Sequence, residues 1–70
     1  MKLSARNQLP GEVVSVKPGV VTGEVVVKLD NGPEVVSVIT MGLIESLALA
    51  PGSRVTVIIK STEVMLATED

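Results

Sequence analysis

The chain has 70 residues, no cysteine or histidine, and a net charge of −2 from six basic and eight acidic side chains. A chain of this length has room for a single domain, residues 1–70. The absence of cysteine and histidine excludes disulfides, thiol nucleophiles and catalysis by imidazole groups. Aromatic residues are absent. This speaks against single-strand nucleic-acid binding, because such proteins stack bases on aromatic rings and carry a basic surface.

No segment predicts membrane contact or export. The longest uncharged apolar run, residues 55–59, is too short to cross a bilayer, and the first residues lack an apolar signal core. We therefore expect a cytoplasmic protein. The 46% share of hydrophobic residues exceeds what so small a monomer can bury, which predicts self-association.

The first three segments after the N-terminus alternate with a period of two, which is typical of β-strands. They cover residues 13–16, 21–29 and 35–39, and β-branched residues are abundant in each. A Pro-Gly pair at 18–19 separates the first two, and an Asp-Asn-Gly triplet at 30–32 predicts a hairpin turn between the second and third.

The next segment changes period. Leu43, Ile44 and Leu47 are spaced as on a helix, and Thr40 is placed to cap its N-terminus. Gly42 costs such a helix about 1 kcal/mol relative to alanine. We expect one or two helical turns, held mainly by packing.

Alternation returns at residues 54–60, where Val55, Val57 and Ile59 share a face, and the short run at 63–67 predicts a fifth strand. This order predicts an all-β fold, a five-stranded barrel of the oligonucleotide/oligosaccharide-binding (OB) type with one short helix. A core one side chain deep leaves apolar residues outside, which again favours burial between subunits. The residues predicted to face outward are Val13, Val26, Val35, Ile39, Ile58 and Met65.

Two groups of hydrogen-bond donors stand out in this apolar chain. They are the SARN segment at residues 4–7 and the KST segment at residues 60–62. Each combines a cation with hydroxyl groups and neither contains a carboxylate, a set that suits a tetrahedral oxyanion. The alternative is that Arg6 is a solvated terminal residue, that Lys60 protects a strand edge, and that the hydroxyls form turns. No group is placed for proton transfer or nucleophilic attack, so we predict no enzymatic activity.

The segments LSARNQLPGEVVSVKPGVVTGEVVVKL, VSVIT and VTVIIKSTEVMLAT resemble the molbindins, proteins made of a single Mop domain. The resemblance covers essentially the whole chain without an insertion. It implies an OB-type barrel, dimers that exchange strands, and three such dimers in a hexamer. It also implies that molybdate or tungstate binds in pockets between subunits, with no other cofactor.

The resemblance also implies two classes of oxyanion pocket. Asn7 is expected to fix the geometry of the N-terminal strand at the first pocket, and the second lies near the symmetry axis. Leu43 departs from the family, because many Mop domains have a serine there, and the first pocket loses that hydroxyl. The implied residues of the first pocket are Ser4, the backbone N–H of Ala5, Arg6, Lys60, Ser61 and, from a neighbouring chain, Thr40; those of the second are Gly19, Val20 and Val21.

The resemblance, together with the two donor groups, implies an intracellular molybdate- or tungstate-binding protein that serves storage, buffering or delivery. Two alternatives stay open. One is a nucleic-acid-binding OB module, which the composition disfavours. The other is a structural assembly domain without a ligand, whose donor groups hold subunits together, and Leu43 is the residue that keeps this alternative open.

Overall fold

Four β-strands and one short α-helix make up the fold in the computed structural model, which describes residues 3–69. Residues 1, 2 and 70 of the predicted domain lie outside the described residues. The elements are β1 (Asn7–Lys17), β2 (Thr22–Leu29), β3 (Glu34–Thr40), α1 (Met41–Ser46), β4 (Arg54–Ile59) and a single 3₁₀ turn (Ser61–Glu63).

β1 is the longest strand and lies in the middle of a single antiparallel sheet with the order β3-β2-β1-β4. Its first half pairs with β4, where Asn7 is opposite Ile59, and its second half pairs with β2. A β-bulge between Val13 and Ser15 interrupts the second ladder. Bulges bend a strand and increase its twist, and the sheet curls so that its concave side holds the core.

The core consists of aliphatic side chains from β1, β2 and α1. Val13 is completely buried, and Ile44 is the buried residue of the helix. The buried residues of the core are Val13, Val25, Val27, Leu29 and Ile44. The partly buried residues Leu9, Val16, Val35, Ile39, Met41, Leu49, Val55 and Val57 pack against them.

The prediction that Val13 faces outward is wrong, because strict alternation does not hold along β1. The bulge adds one residue to this strand, so that Val13 and Val16 both face the core while Val14 between them is exposed. A bulge resets which residues share a face, and no turn residue in the sequence marks its position.

The predicted faces of β3 are also reversed. Val35 and Ile39 pack against the core, whereas Val36 and Val38 are 59% and 64% exposed. The reason is the register with β2, which places Val35 and Ile39 opposite core-facing residues of that strand. Val26, predicted to face outward, is half-buried. A register one residue different would have exchanged the two faces of β3.

The predicted fifth strand does not form within the described residues. The 3₁₀ turn Ser61–Glu63 is followed by a segment that pairs with none of the four strands. Met65 and Leu66 in this segment are 92% and 93% exposed, and Ile58 on β4 is exposed as predicted. The described residues 3–69 are therefore all-β with one short helix, and their four strands form a curled sheet.

The predicted hairpin turn and the predicted helix are both confirmed. Gly32 adopts a φ of +118°, which favours glycine, in the turn between β2 and β3. The Thr40 hydroxyl oxygen accepts a hydrogen bond from the Leu43 N–H at 3.3 Å and so caps α1. At the other end, the Leu49 N–H donates to the Ile44 carbonyl and the Ala48 N–H donates to the Glu45 carbonyl, each at 3.0 Å. This is the Schellman pattern.

The Schellman pattern places Ala48 where glycine is usual. Its φ is +51°, and a left-handed backbone costs an L-residue about 1–2 kcal/mol. We expect Ala48→Gly to raise the free energy of unfolding by about 0.5–1 kcal/mol, because glycine carries no Cβ to strain there. Urea unfolding measures the change. The control is Ala50→Gly at a position without positive φ, and an equal response of both variants would contradict the assignment of strain.

Candidate functional site

The two predicted donor groups adjoin the end of the β1–β4 ladder. The last described pair of this ladder is Asn7 opposite Ile59. Arg6 directly precedes Asn7 and Lys60 directly follows Ile59, so both residues adjoin this pair at the end of the ladder. The ladder therefore places Arg6 and Lys60, which are more than 50 positions apart in the sequence, directly beyond the same strand pair.

Two adjacent amide side chains hold this end of the sheet. The Asn7 side-chain amide donates to the Ile59 carbonyl at 3.1 Å, and the Gln8 side-chain amide donates to the Ala5 carbonyl at 3.0 Å. Asn7 is half-buried and Gln8 is exposed. The sequence analysis assigned no role to Gln8, although its position directly after the SARN segment was the available signal.

The charged side chains at this end are accessible and carry the same sign. Arg6, Lys60 and the hydroxyl-bearing Ser4 and Ser61 are all exposed. Among residues 3–69, neither Arg6 nor Lys60 lies within 4.0 Å of a carboxylate oxygen. Two cations without an internal counter-ion create a local positive potential that attracts an external anion, despite the negative net charge.

Thr40 lies at the opposite end of the sheet from these residues. It pairs with Thr22 at the end of β2, and the Met41 N–H donates to the Val21 carbonyl at 2.9 Å. The 11 residues of β1 separate the two ends by roughly 30 Å, at about 3.3 Å per residue. Thr40 of one chain therefore cannot reach Arg6 of the same chain.

Thr40 is instead a neighbour of residues 19–21, the predicted second site. Val20 is 98% exposed in this loop. A Cβ on Gly19 would overlap the carbonyl oxygen of Thr22, so the loop requires glycine there. The Thr40 hydroxyl oxygen accepts from the Leu43 N–H, which leaves the O–H itself to donate. The Leu43 side chain is half exposed and has no hydroxyl to add.

An ion pair elsewhere on the sheet ties the β2–β3 turn to β4. The two terminal guanidinium nitrogens of Arg54, Nη1 and Nη2, donate to the carboxylate oxygens Oδ1 and Oδ2 of Asp30, at 2.8 and 2.7 Å. These hydrogen bonds, with a further contribution from the Arg54 charge, hold the pKa of Asp30 below its ordinary value of 3.8. The pair belongs to the scaffold rather than to the donor end of the sheet.

The lowered pKa of Asp30 predicts a pH dependence of stability. Because the pKa is lower in the folded chain, the pair stabilises fully above the unfolded pKa of about 4 and loses its effect as the pH falls through the lowered value. In urea unfolding from about pH 6 to pH 2, we expect the midpoint of Asp30→Asn to fall less than that of the parent. The control is Glu34→Gln, which removes an exposed carboxylate that forms no ion pair among the described residues. Parallel curves for the parent and Asp30→Asn would contradict this origin.

Within the described part of the chain, no helix has the length and apolar character that a membrane span requires.

Comparison with models of known protein families identifies the family of this chain. The model of the TOBE domain matches residues 3–66. The chain belongs to the TOBE domain family.

Relatives of this TOBE domain carry names that refer to molybdenum. Molybdenum-pterin-binding protein 3 of Clostridium pasteurianum is 50% identical over 66 residues, which cover 94% of this chain and 97% of that protein. The resemblance to single-Mop-domain proteins seen in the sequence is confirmed by this similarity over nearly the whole length of both chains.

Solved structures of two molybdate-binding proteins share the fold of this TOBE domain. One, from Sporomusa ovata, has a TM-score of 0.91 and 35% identity, covering 97% of this chain and 100% of that chain. The other is the cytoplasmic molybdate-binding protein ModG in a molybdate-bound form, with a TM-score of 0.84 and 38% identity. That match covers 87% of this chain but 43% of the ModG chain, so this chain spans less than half of ModG.

Proposed function

We propose that this protein binds molybdate as an intact oxyanion, at a pocket built on Arg6 and Lys60. The observation that carries the proposal is that Arg6 and Lys60, one from each donor group, adjoin the last pair of the β1–β4 ladder. A second support is the 50% sequence identity of this chain, over 66 residues, to a protein named as a molybdenum-pterin-binding protein. The side-chain hydroxyls of Ser4 and Ser61 and the backbone N–H of Ala5 complete the proposed donor set.

The proposed chemistry is binding, without bond making or breaking. Moving a dianion out of water costs several kcal/mol or more. Charge-assisted hydrogen bonds from Arg6 and Lys60 offset that cost only if folded strands already hold the donors in place. Tungstate and sulfate share the charge and shape of molybdate, so pocket size decides the selectivity. No further cofactor is needed for such a function, and it suits storage, buffering or delivery.

We further propose that the pocket closes between subunits of a homo-oligomer, with a hexamer as the expected form. The separation of Thr40 from Arg6 within one chain supports this, because a pocket containing both residues requires a second copy. The loop at residues 19–21, with its exposed valines, is the proposed second site between subunits. The cytoplasm is the proposed location, as for ModG.

We also propose that residues 64–67 of one subunit pair with a strand edge of another. Three observations support such an exchange. Met65 and Leu66 are almost fully exposed, the two outer strands of the described sheet each have one unpaired edge, and an open apolar cavity of about 200 Å³ lies between them. The cavity is lined by Val27, Ile39 and Val57, among others. An added strand would close the barrel and supply its fifth strand.

Equilibrium dialysis against molybdate tests the ligand. Purified protein is dialysed with excess sulfate as competitor, and retained molybdenum is counted by mass spectrometry. Retention in sulfate is the expected result. No retention by a protein that still assembles would contradict molybdate binding and favour the structural assembly function.

Native mass spectrometry tests the assembly separately. Each chain has a mass of 7.3 kDa, so a hexamer is distinguished from a dimer or a monomer without ambiguity. A hexamer is the expected species. A monomer that nevertheless binds molybdate would contradict the pocket between subunits while leaving oxyanion binding intact.

A further inference from the structure

We propose that Gln8 is a positioning residue of the oxyanion pocket, an inference that rests on the proposed function. Its side-chain amide donates to the Ala5 carbonyl at 3.0 Å, across the segment that carries Arg6. Gln8 itself has no place in the proposed donor set. Its contact instead acts on the peptide unit between Ala5 and Arg6.

Peptide geometry gives this contact a consequence for the anion. The peptide unit is planar and trans, so its C=O and N–H point in opposite directions. When Gln8 holds the Ala5 carbonyl, it also sets the direction of the Arg6 N–H. The hydrogen bond from Gln8 also occupies the carbonyl oxygen of Ala5. This oxygen is partially negative and would repel an oxyanion if the carbonyl turned into the pocket.

The neighbouring residue makes the equivalent contact on β4. The Asn7 amide donates to the Ile59 carbonyl, and the peptide unit between Ile59 and Lys60 carries the N–H of Lys60. Successive residues on a strand point to opposite faces, so Asn7 and Gln8 reach two different segments. Each of the two cations is thus preceded by a carbonyl that one of these amides holds.

Because Gln8 is exposed, a role in positioning the pocket can be distinguished from a role in stabilising the fold. Gln8 is exposed and its hydrogen bond spans only three residues, so the bond adds little to the packing of the core. A change at Gln8 should therefore affect anion binding more than unfolding. This distinguishes it from Asn7, whose half-buried amide links β1 to β4.

The test is Gln8→Met, which keeps the length of the side chain and removes the amide. We expect the dissociation constant for molybdate to rise roughly three- to tenfold, the range that loss of one hydrogen bond produces. The urea midpoint should stay unchanged, and hydrogen exchange at the Arg6 amide should become faster in the ligand-free protein. The control is Thr56→Val on the exposed side of β4, a residue without a side-chain hydrogen bond among residues 3–69.

The outcomes separate this proposal from the proposed function. A parent protein that retains no molybdate overturns the proposed function and, with it, a pocket for Gln8 to position. A parent that binds molybdate alongside an equally tight Gln8→Met overturns the role of Gln8 alone. Weaker binding that only accompanies a lower urea midpoint would show a structural residue and also overturn the proposal.

Discussion

Replacing Arg6 with alanine is expected to weaken molybdate binding about 100-fold or more while leaving the fold intact. Arg6 precedes β1, is exposed, and forms no ion pair with the described residues, so its loss removes no packing. A guanidinium provides two parallel donors and a fixed charge. Removing one partner of a desolvated charge pair costs about 2–5 kcal/mol, which corresponds to the expected loss.

The control for Arg6→Ala is Arg54→Ala. This variant also removes an arginine side chain, but at the start of β4, five residues from Ile59, which pairs with Asn7 next to Arg6. Arg54→Ala breaks the ion pair with Asp30 and should lower the urea midpoint slightly without changing the affinity for molybdate. Titration calorimetry with molybdate in excess sulfate measures both variants. Unchanged affinity in Arg6→Ala would show that the residue assignment is wrong. Equal losses in the two variants would point to a general charge effect instead of a pocket.

Replacing Gly11 with alanine is expected to lower the free energy of unfolding by about 1–3 kcal/mol or more, the cost of overpacking a core. Gly11 is buried where β1 pairs with β2 on one side and β4 on the other. A Cβ at this position would lie 2.7 Å from the carbonyl oxygen of Lys28 and 3.2 Å from the Cα of Leu29. The backbone atoms of β2 cannot move away from the added Cβ without breaking hydrogen bonds of the β1–β2 ladder. The steric clash at residue 11 therefore persists and destabilises the folded chain.

Gly42→Ala is the matched control, because it adds the same methyl group in open space. Apart from its chain neighbours and the backbone of its own helix, no heavy atom lies within 4 Å of a Cβ built on Gly42. Alanine favours a helix over glycine by about 0.5–1 kcal/mol. The two variants should therefore shift the urea midpoint in opposite directions. They are compared at one protein concentration, since the stability of an oligomer depends on it. Destabilisation by both variants would contradict the packing argument for Gly11.

Local features of the chain were predictable from the sequence because they depend on neighbouring residues. The hairpin turn follows from an Asp-Asn-Gly triplet, and the helix start follows from the hydroxyl of Thr40, which reaches an N–H three residues later. The core faces of β2 and β4 follow from their uninterrupted alternation. For the same reason, the residue types within two short segments, 4–7 and 60–62, identified the donor groups as candidates.

Tertiary structure decided the core faces of β1 and β3, the course of residues 63–67, and which residues lie at each end of the sheet. A bulge in β1 and the register of β3 reverse which valines are buried, because a shift of one residue exchanges the two sides of a strand. Residues 63–67 have the alternating pattern of a strand. A strand forms only when it pairs with the edge of another strand, and the pattern does not specify such a partner. Likewise, only the β1–β4 ladder shows that Arg6 and Lys60 adjoin the same strand pair while Thr40 lies at the far end of the sheet. Pairing between distant segments sets these distances, and the pattern within any one segment contains no information about them.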